Sequence, residues 1–208
     1  MSSLLKPAGI LVAFEGIDGA GKTTQATLLE QWLHDSGIAL VRTKEPTNGR
    51  WGKLVRESAA TGRLAPAEEL NAFLEDRKEH VATLLAPSLR EGKAVIVDRY
   101  YFSTAAYQGA RGHDPAELIR VNEAFAPKPD LLVLLSITTT VAMERIRRRG
   151  ELGNTFEREE DLKKSAAIFE QLTPPFLLKL DGTRSIDELS QAIIGAVKRL
   201  PAVATALA

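Results

Sequence analysis

The chain has no cysteine among its 208 residues, so disulfides and thiolate chemistry are excluded outright. That suits a reducing compartment, and a cytoplasmic location is the expectation. Excess charge of either sign is also missing. Lysine plus arginine and aspartate plus glutamate number 27 each, for a net charge of zero. Proteins that grip nucleic acid through its phosphates usually carry a basic surplus, so no nucleic-acid partner is expected. No apolar run approaches the roughly 18 residues that a membrane span needs. The opening Met1 to Gly9 lacks the charged start and long apolar core of a signal peptide. No membrane partner is expected either. The histidines, His34, His80 and His113, show no metal-ligand spacing and are expected to be surface or packing residues. No internal repeat, linker or low-complexity tract interrupts the chain. What remains is 44% apolar, and its length suits one domain over residues 1–208.

Against these absences stands one dense motif. Gly16-Ile17-Asp18-Gly19-Ala20-Gly21-Lys22-Thr23, followed by Thr24, fits the phosphate-binding pattern G-x-x-x-x-G-K-[ST]. The apolar run Ile10-Leu11-Val12-Ala13-Phe14 precedes it, and a helical pattern through Leu28, Leu29, Trp32 and Leu33 follows. That strand–loop–helix context is what the motif requires. Glycines let backbone N–H groups close around phosphate oxygens, and the helix N-terminus adds partial positive charge. Lys22 would reach the β- and γ-phosphates, and the Thr23 hydroxyl would help to hold Mg²⁺. A nucleoside triphosphate is the expected ligand.

Strand and helix signals alternate along the rest, which argues for an α/β fold with a mostly parallel sheet. Gly37 closes the first helix, and Ile38-Ala39-Leu40-Val41 reads as a second strand before a loop from Thr43 to Gly49. Trp51 to Ala60 reads as helical. A further helix from Ala65 keeps its spacing through Leu70, Phe73, Leu74, Arg77, Val81 and Leu84 until Pro87. Residues 94–97 form a short strand, Tyr101 to Gly112 reads as irregular, and Asp114-Pro115 opens a helix to about Phe125. The fully apolar Leu131 to Leu135 reads as a central strand. Thr138 to Arg149 and Phe156 to Leu172 read as helices around a polar loop, Gly150 to Thr155. Phe176 to Leu180 and Ile186 to Leu200 supply a fifth strand and a last helix, leaving Ala202 to Ala208 as a fraying tail. The expected architecture is a P-loop kinase fold, a five-stranded parallel sheet flanked by helices on both faces, with a lid at about 149–158.

Asp98 closes an apolar strand, where an open α/β sheet places its ligand crevice, and an acid there commonly supports Mg²⁺. Arg99 follows at once, and a planar guanidinium suits a pair of phosphate oxygens. Arg145, Arg147, Arg148 and Arg149 end a helix before the polar loop, and Arg158 follows that loop. Arginine near a helix C-terminus is favoured by the dipole anyway, so a solvated face and a catalytic lid both remain open. Phosphoryl transfer uses such cations on the equatorial oxygens, and a closing lid keeps water out.

These residues resemble the thymidylate kinase family over nearly the whole chain. The resemblance rests on Phe14-Glu15-Gly16 running into the phosphate motif, on Lys44-Glu45-Pro46, on Phe73 with Arg77, and on Asp98-Arg99-Tyr100. It continues through Ser103-Thr104-Ala105-Ala106-Tyr107-Gln108-Gly109, Pro129-Asp130, Arg149-Gly150 and Phe156-Glu157-Arg158. It implies a homodimer that transfers the γ-phosphoryl group of ATP in line to the 5′-phosphate of dTMP, giving dTDP and ADP with Mg²⁺. Gly16 to Thr24 would bind ATP, and Asp18 would contact the sugar 3′-hydroxyl of dTMP. Phe73 would stack on thymine, and Arg77 would hydrogen-bond its carbonyl and approach the acceptor phosphate. Thr104 and Gln108 would line the base pocket, and Tyr107 would crowd the 2′ position. Arg99 would hold the dTMP phosphate, Thr23 and Asp98 would belong to the magnesium network, and Lys22, Arg99, Arg149 and Arg158 would be catalytic.

Some positions depart from the family pattern. One branch carries a basic residue after the P-loop acid; this chain has Gly19 there and resembles instead the branch whose catalytic arginine comes from the lid. This lid, Gly150 to Thr155, has no arginine of its own, which leaves Arg149 and Arg158 at its ends. Phe156 stands where a tyrosine is often seen. Arg50 or Arg56 could reach the acceptor phosphate, and Trp51 could cover the base or simply pack. Three rival functions stay open: a deoxynucleoside kinase using Glu45 as base, a kinase acting on dUMP or CMP, and a nucleotide-dependent switch without an acceptor.

Overall fold

A computed structural model describes residues 9–61, 64–148, 150 and 155–207. Strand β1, Ile10–Glu15, is buried at every position. Successive side chains of a strand point to opposite faces, so both faces of β1 are covered. The same holds for Leu131 to Leu135 within β4, Leu131–Ser136. Such strands belong in the middle of a parallel sheet with helices on both sides. The edges are β2, Leu40–Lys44, and β5, Leu177–Asp181, both only half-buried; β3, Ala94–Asp98, is interior. All five strands run parallel in the order β2-β3-β1-β4-β5.

In chain order the helices are α1 (Lys22–Asp35), α2 (Arg50–Thr61), α3 (Pro66–His80), α4 (Ala86–Arg90), α5 (Tyr101–Gly109) and α6 (Pro115–Glu123). They continue with α7 (Thr139–Arg148), α8 (Thr155–Glu170), α9 (Ile186–Lys198) and α10 (Pro201–Ala206). Helices α1 and α9 pack on each other and on the sheet, while α5 packs against α3, α6 and α8. The chain leaves β1 towards β2 on one side and later fills β4 and β5 on the other. An open α/β sheet binds ligands where the order reverses, beyond the carboxyl ends of the strands. Register brings the site together there: Phe14 pairs with Asp98, and Asp98 with Lys44.

Several elements differ from the sequence reading. The second strand begins at Leu40 rather than Ile38 and runs through the polar Arg42, Thr43 and Lys44, because it is a half-exposed edge. Pro87 does not end the third helix. A five-residue π-turn, Val81–Leu85, intervenes, and Pro87 sits in the first turn of α4, where its missing N–H costs no intrahelical bond. Tyr101 to Gly109, read as irregular, is helix α5. The expected tail forms α10, anchored by the buried Val203.

Candidate active site

Gly16 leaves β1 at φ 134°, and a Cβ there would lie 2.4 Å from the Leu135 carbonyl oxygen, so only glycine fits. The loop turns back on Lys22, whose buried ammonium donates to the carbonyl oxygens of Gly16 and Ile17, each at 2.9 Å. Burial, with the Arg99 charge beside it, pushes the Lys22 pKa down to about 7 against the pull of Asp18, Asp98 and Glu15. The Thr23 hydroxyl donates to Asp98 Oδ2 at 2.6 Å. These groups line a cleft of about 360 Å³ with Asp18, Gly19, Gly21 and Thr24.

Arg99 stands at the hinge of the site. Its φ is 67°, the left-handed region that residues with a Cβ rarely adopt. Two bonds to β1 hold the turn: the Arg99 N–H donates to the Phe14 carbonyl at 2.9 Å, and the Tyr100 N–H to Glu15 Oε1 at 2.8 Å. The guanidinium pairs with Asp18, donates to Ser103 Oγ at 3.2 Å, and lies 5.2 Å from the Tyr107 ring centre. Burial opposes that cation, but Tyr107, Asp18 and Glu15 raise its pKa, so Arg99 stays charged.

Beyond Arg99 a second cleft of about 240 Å³ is lined by Phe73, Arg77, Thr104, Tyr107 and Gln108. It shares Asp18, Glu45, Pro46, Arg56 and Arg99 with the first. Arg77 is buried and commits most of its donors to protein. Nε and Nη2 donate to Glu45 Oε2 at 2.8 and 2.5 Å, Nη2 also to Thr104 Oγ1 at 3.0 Å, and Nη1 to Asn122 Oδ1 at 2.5 Å. The other Glu45 oxygen meets His80 Nδ1 at 2.9 Å. Burial alone would raise the Glu45 carboxyl, yet Arg77 and His80 hold it below the usual carboxylate range. A carboxylate with both oxygens engaged and its pKa depressed is a poor general base.

On the other side of the phosphate loop a third cleft of about 390 Å³ is lined by Ala20, Arg145, Arg148, Gly182 and Arg184. Arg145 bridges its walls, donating to the carbonyls of Gly19 at 3.1 Å and Gly182 at 3.0 Å. Sequence periodicity cannot find Gly182 or Arg184, since the turn after β5 enters the site only through strand order. Gly19 itself faces α7. At φ 83°, a Cβ there would lie 2.9 Å from the Ala142 carbonyl oxygen. The missing basic residue thus has a steric reason.

The structure therefore joins Asp18, Lys22, Thr23, Asp98 and Arg99 to Phe73, Arg77, Thr104, Tyr107 and Gln108. Arg56 joins both main clefts and donates to the carbonyls of Pro46 at 2.9 Å and Thr47 at 2.7 Å. Arg50 instead stacks on Trp51 at 4.2 Å, and neither lines these clefts. Arg149 lies outside the described residues, as does the Arg158 side chain, whose backbone belongs to α8.

Residues 14–193 match the family model described as thymidylate kinase. The chain belongs to the thymidylate kinase family. It is 45% identical over 185 residues to a thymidylate kinase of Akkermansia muciniphila, covering 89% of each chain. It is 48% identical over 189 residues to one from Xanthomonas oryzae pv. oryzae, covering 91% of this chain and 83% of that protein. One from Xanthomonas campestris pv. campestris is 47% identical over the same span. Within this thymidylate kinase fold, sequence reading left Asn122, Glu69 and Arg111 unassigned. Asn122 meets Arg77 and Glu69 meets Gln108, 45 and 39 positions away, and Arg111 in turn pairs with Glu69, through contacts that no local pattern announces.

Proposed function

We infer that this member of the thymidylate kinase family transfers the γ-phosphoryl group of ATP to the 5′-phosphate of dTMP, giving ADP and dTDP. The observation that carries the reading is the shared wall between the phosphate-loop cleft and the Phe73–Tyr107 pocket, where Asp18, Arg56 and Arg99 stand. A donor phosphate on one side and an acceptor phosphate on the other would meet at that wall. The acceptor oxygen attacks Pγ, the bond from Pγ to the β-bridging oxygen breaks, and ADP leaves with the electron pair. A phosphate acceptor is ionised near neutral pH, so no general base is needed. Positioning and charge neutralisation supply the rate.

Lys22 and the loop N–H groups hold the donor phosphates, and Arg99 orients the acceptor phosphate. Asp18 anchors Arg99 and faces the sugar. The Arg145 recess suits the nucleoside of the donor. Arg149 and Arg158 remain the proposed lid cations. Mg²⁺ fits the donor set: the Thr23 hydroxyl and Asp98 carboxylate are hard oxygens 2.6 Å apart on the donor side. Thr23 and Asp98 would hold it, and its charge would offset the negative charge of the transferring group. The rival with Glu45 as base on an uncharged 5′-hydroxyl is disfavoured by the Arg77 and His80 contacts. A homodimer and a cytoplasmic location belong to the same proposal; sedimentation equilibrium giving twice 22.7 kDa tests the first.

Replacing Lys22 or Arg99 by alanine is expected to lower kcat/KM for dTMP by about 10²–10³, with the thermal unfolding transition still cooperative. Unchanged kinetics in either variant would overturn these roles.

A further inference from the structure

Gln108 is buried in the wall of the Phe73–Tyr107 pocket, 2% exposed. Its Nε2 donates to Glu69 Oε2 at 2.9 Å, and Arg111 pairs with the same carboxylate oxygen. Its Oε1 is buried without a hydrogen-bond partner. An amide has a donor end and an acceptor end, whereas an ionised carboxylate only accepts. The two ends of Gln108 are therefore not interchangeable, because Glu69 can receive only the nitrogen. Arg111 pairs with that carboxylate oxygen through a guanidinium, which is always charged and only donates. The unpartnered oxygen is left as a buried acceptor on a residue that lines the pocket, and such an atom is costly until a donor reaches it.

We propose that the Glu69–Arg111 pair is a specificity device that fixes the amide polarity of Gln108, so that the pocket accepts a pyrimidine presenting a ring N–H and rejects one presenting a bare ring nitrogen. The proposal rests on the reading that this pocket takes the acceptor base. Thymine and uracil carry a hydrogen at N3; cytosine carries a lone pair there. A lone pair set against Oε1 would leave two acceptors facing each other, and a buried mismatch of this kind discriminates strongly. Glu69 and Arg111 are positioning residues, acting through Gln108.

The test compares dTMP with 5-methyl-dCMP, which keeps the methyl group, sugar and phosphate and changes only the base edge. In Glu69→Gln the residue at 69 can donate as well as accept, so Gln108 is free to turn. The ratio of kcat/KM for dTMP over 5-methyl-dCMP is expected to fall by about tenfold or more, mainly through KM. Gln108→Met removes the amide and leaves the ion pair in place. It is expected to lower the ratio similarly, and the double variant to add little to either single change. If Glu69→Gln lowers kcat/KM for both nucleotides equally, or if the two substitutions act additively on the ratio, Glu69 has a structural role only and the proposal is overturned. Should Glu69→Gln fail to fold, Arg111→Met, which removes the cation that pairs with Glu69, must lower the same ratio. Failure of the unsubstituted protein to turn over dTMP would instead overturn the assigned activity.

Discussion

At the scale of single residues, Arg99 carries both backbone strain and charge. A left-handed conformation costs an L-residue about 1–2 kcal/mol, and the bonds from Arg99 and Tyr100 back to β1 hold it there. Comparing Arg99→Gly with Arg99→Ala separates the two properties, because neither variant has a guanidinium. Urea unfolding should find the glycine variant more stable by about 1 kcal/mol, while both lose activity equally. Equal midpoints would mean that the turn is not strained. Gly19 gives the opposite case. Its φ of 83° and its approach to Ala142 predict that Gly19→Arg lowers the melting temperature and weakens ATP binding rather than supplying a catalytic cation. A Gly19→Arg protein with undiminished stability would contradict the packing described for α7. The sequence marked Arg99 as a phosphate ligand and Gly19 as a departure from one branch of the family, but only the backbone angles and the neighbouring carbonyl show the strain at each.

At the scale of elements, α5 depends on a side chain that is not its own. Glu15, at the end of β1, accepts from the N–H groups of Tyr100 at 2.8 Å and Ser103 at 2.9 Å, and from the Ser103 hydroxyl at 2.5 Å. It thereby supplies the partner that the Tyr100 N-cap side chain does not. Burial pushes the Glu15 pKa from 4.5 up to about 7, against the lowering effect of those hydrogen bonds and of Arg99. The native protein thus holds this proton more tightly than the unfolded chain does. The stabilisation it gives is complete below pH 4.5 and is lost as pH rises through about 7. Glu15→Gln, shaped like the protonated acid, should fold and should flatten the decline in stability between about pH 5 and 7, measured by urea unfolding across that range. A slope identical to that of the unsubstituted protein would refute this. Legibility follows the same lines. β1, β3 and β4 were readable because fully buried strands are unbroken apolar runs. Helix α5 was not, since Tyr101, Phe102, Ser103, Thr104, Ala105, Ala106 and Gln108 are all buried and burial on every side leaves no 3.6-residue rhythm. Helix α3 misled differently. Its buried residues are Glu69, Ala72, Asp76, Arg77 and His80, so the buried face is largely polar, and Leu70, Phe73 and Leu74, which the spacing picked out, are only partly buried.

At the scale of the whole molecule, strand order does the assembling. With β1 between β3 and β4, the ends of β1 and β3 put Gly16, Asp98 and Arg99 side by side, and the turn after β5 brings Gly182 to Arg145. The phosphate motif, the Asp98-Arg99 pair and the Phe73, Arg77, Thr104, Tyr107 and Gln108 set were therefore visible as separate pieces. Their meeting across one wall at Asp18 and Arg99 was not. Neither was the engagement of Glu45 by Arg77 and His80, which bears on the choice between a phosphate and a hydroxyl acceptor. None of the described helices is long and apolar enough to cross a membrane. The zero net charge is combined with arginines gathered at the clefts, Arg56 and Arg99 at the shared wall and Arg145, Arg148 and Arg184 in the recess beyond the loop. That distribution suits small polyanions held along one groove.

The measurement that tests the central claim most directly is ADP release from MgATP with dTMP and with thymidine as competing acceptors. The two differ only in the 5′-phosphate that Arg99 and Arg56 are proposed to face. Strong dTMP-dependent release with negligible turnover of thymidine is the predicted result, and Arg99→Ala should lower it by about 10²–10³. Turnover of thymidine but not of dTMP would contradict it and return the chemistry to Glu45.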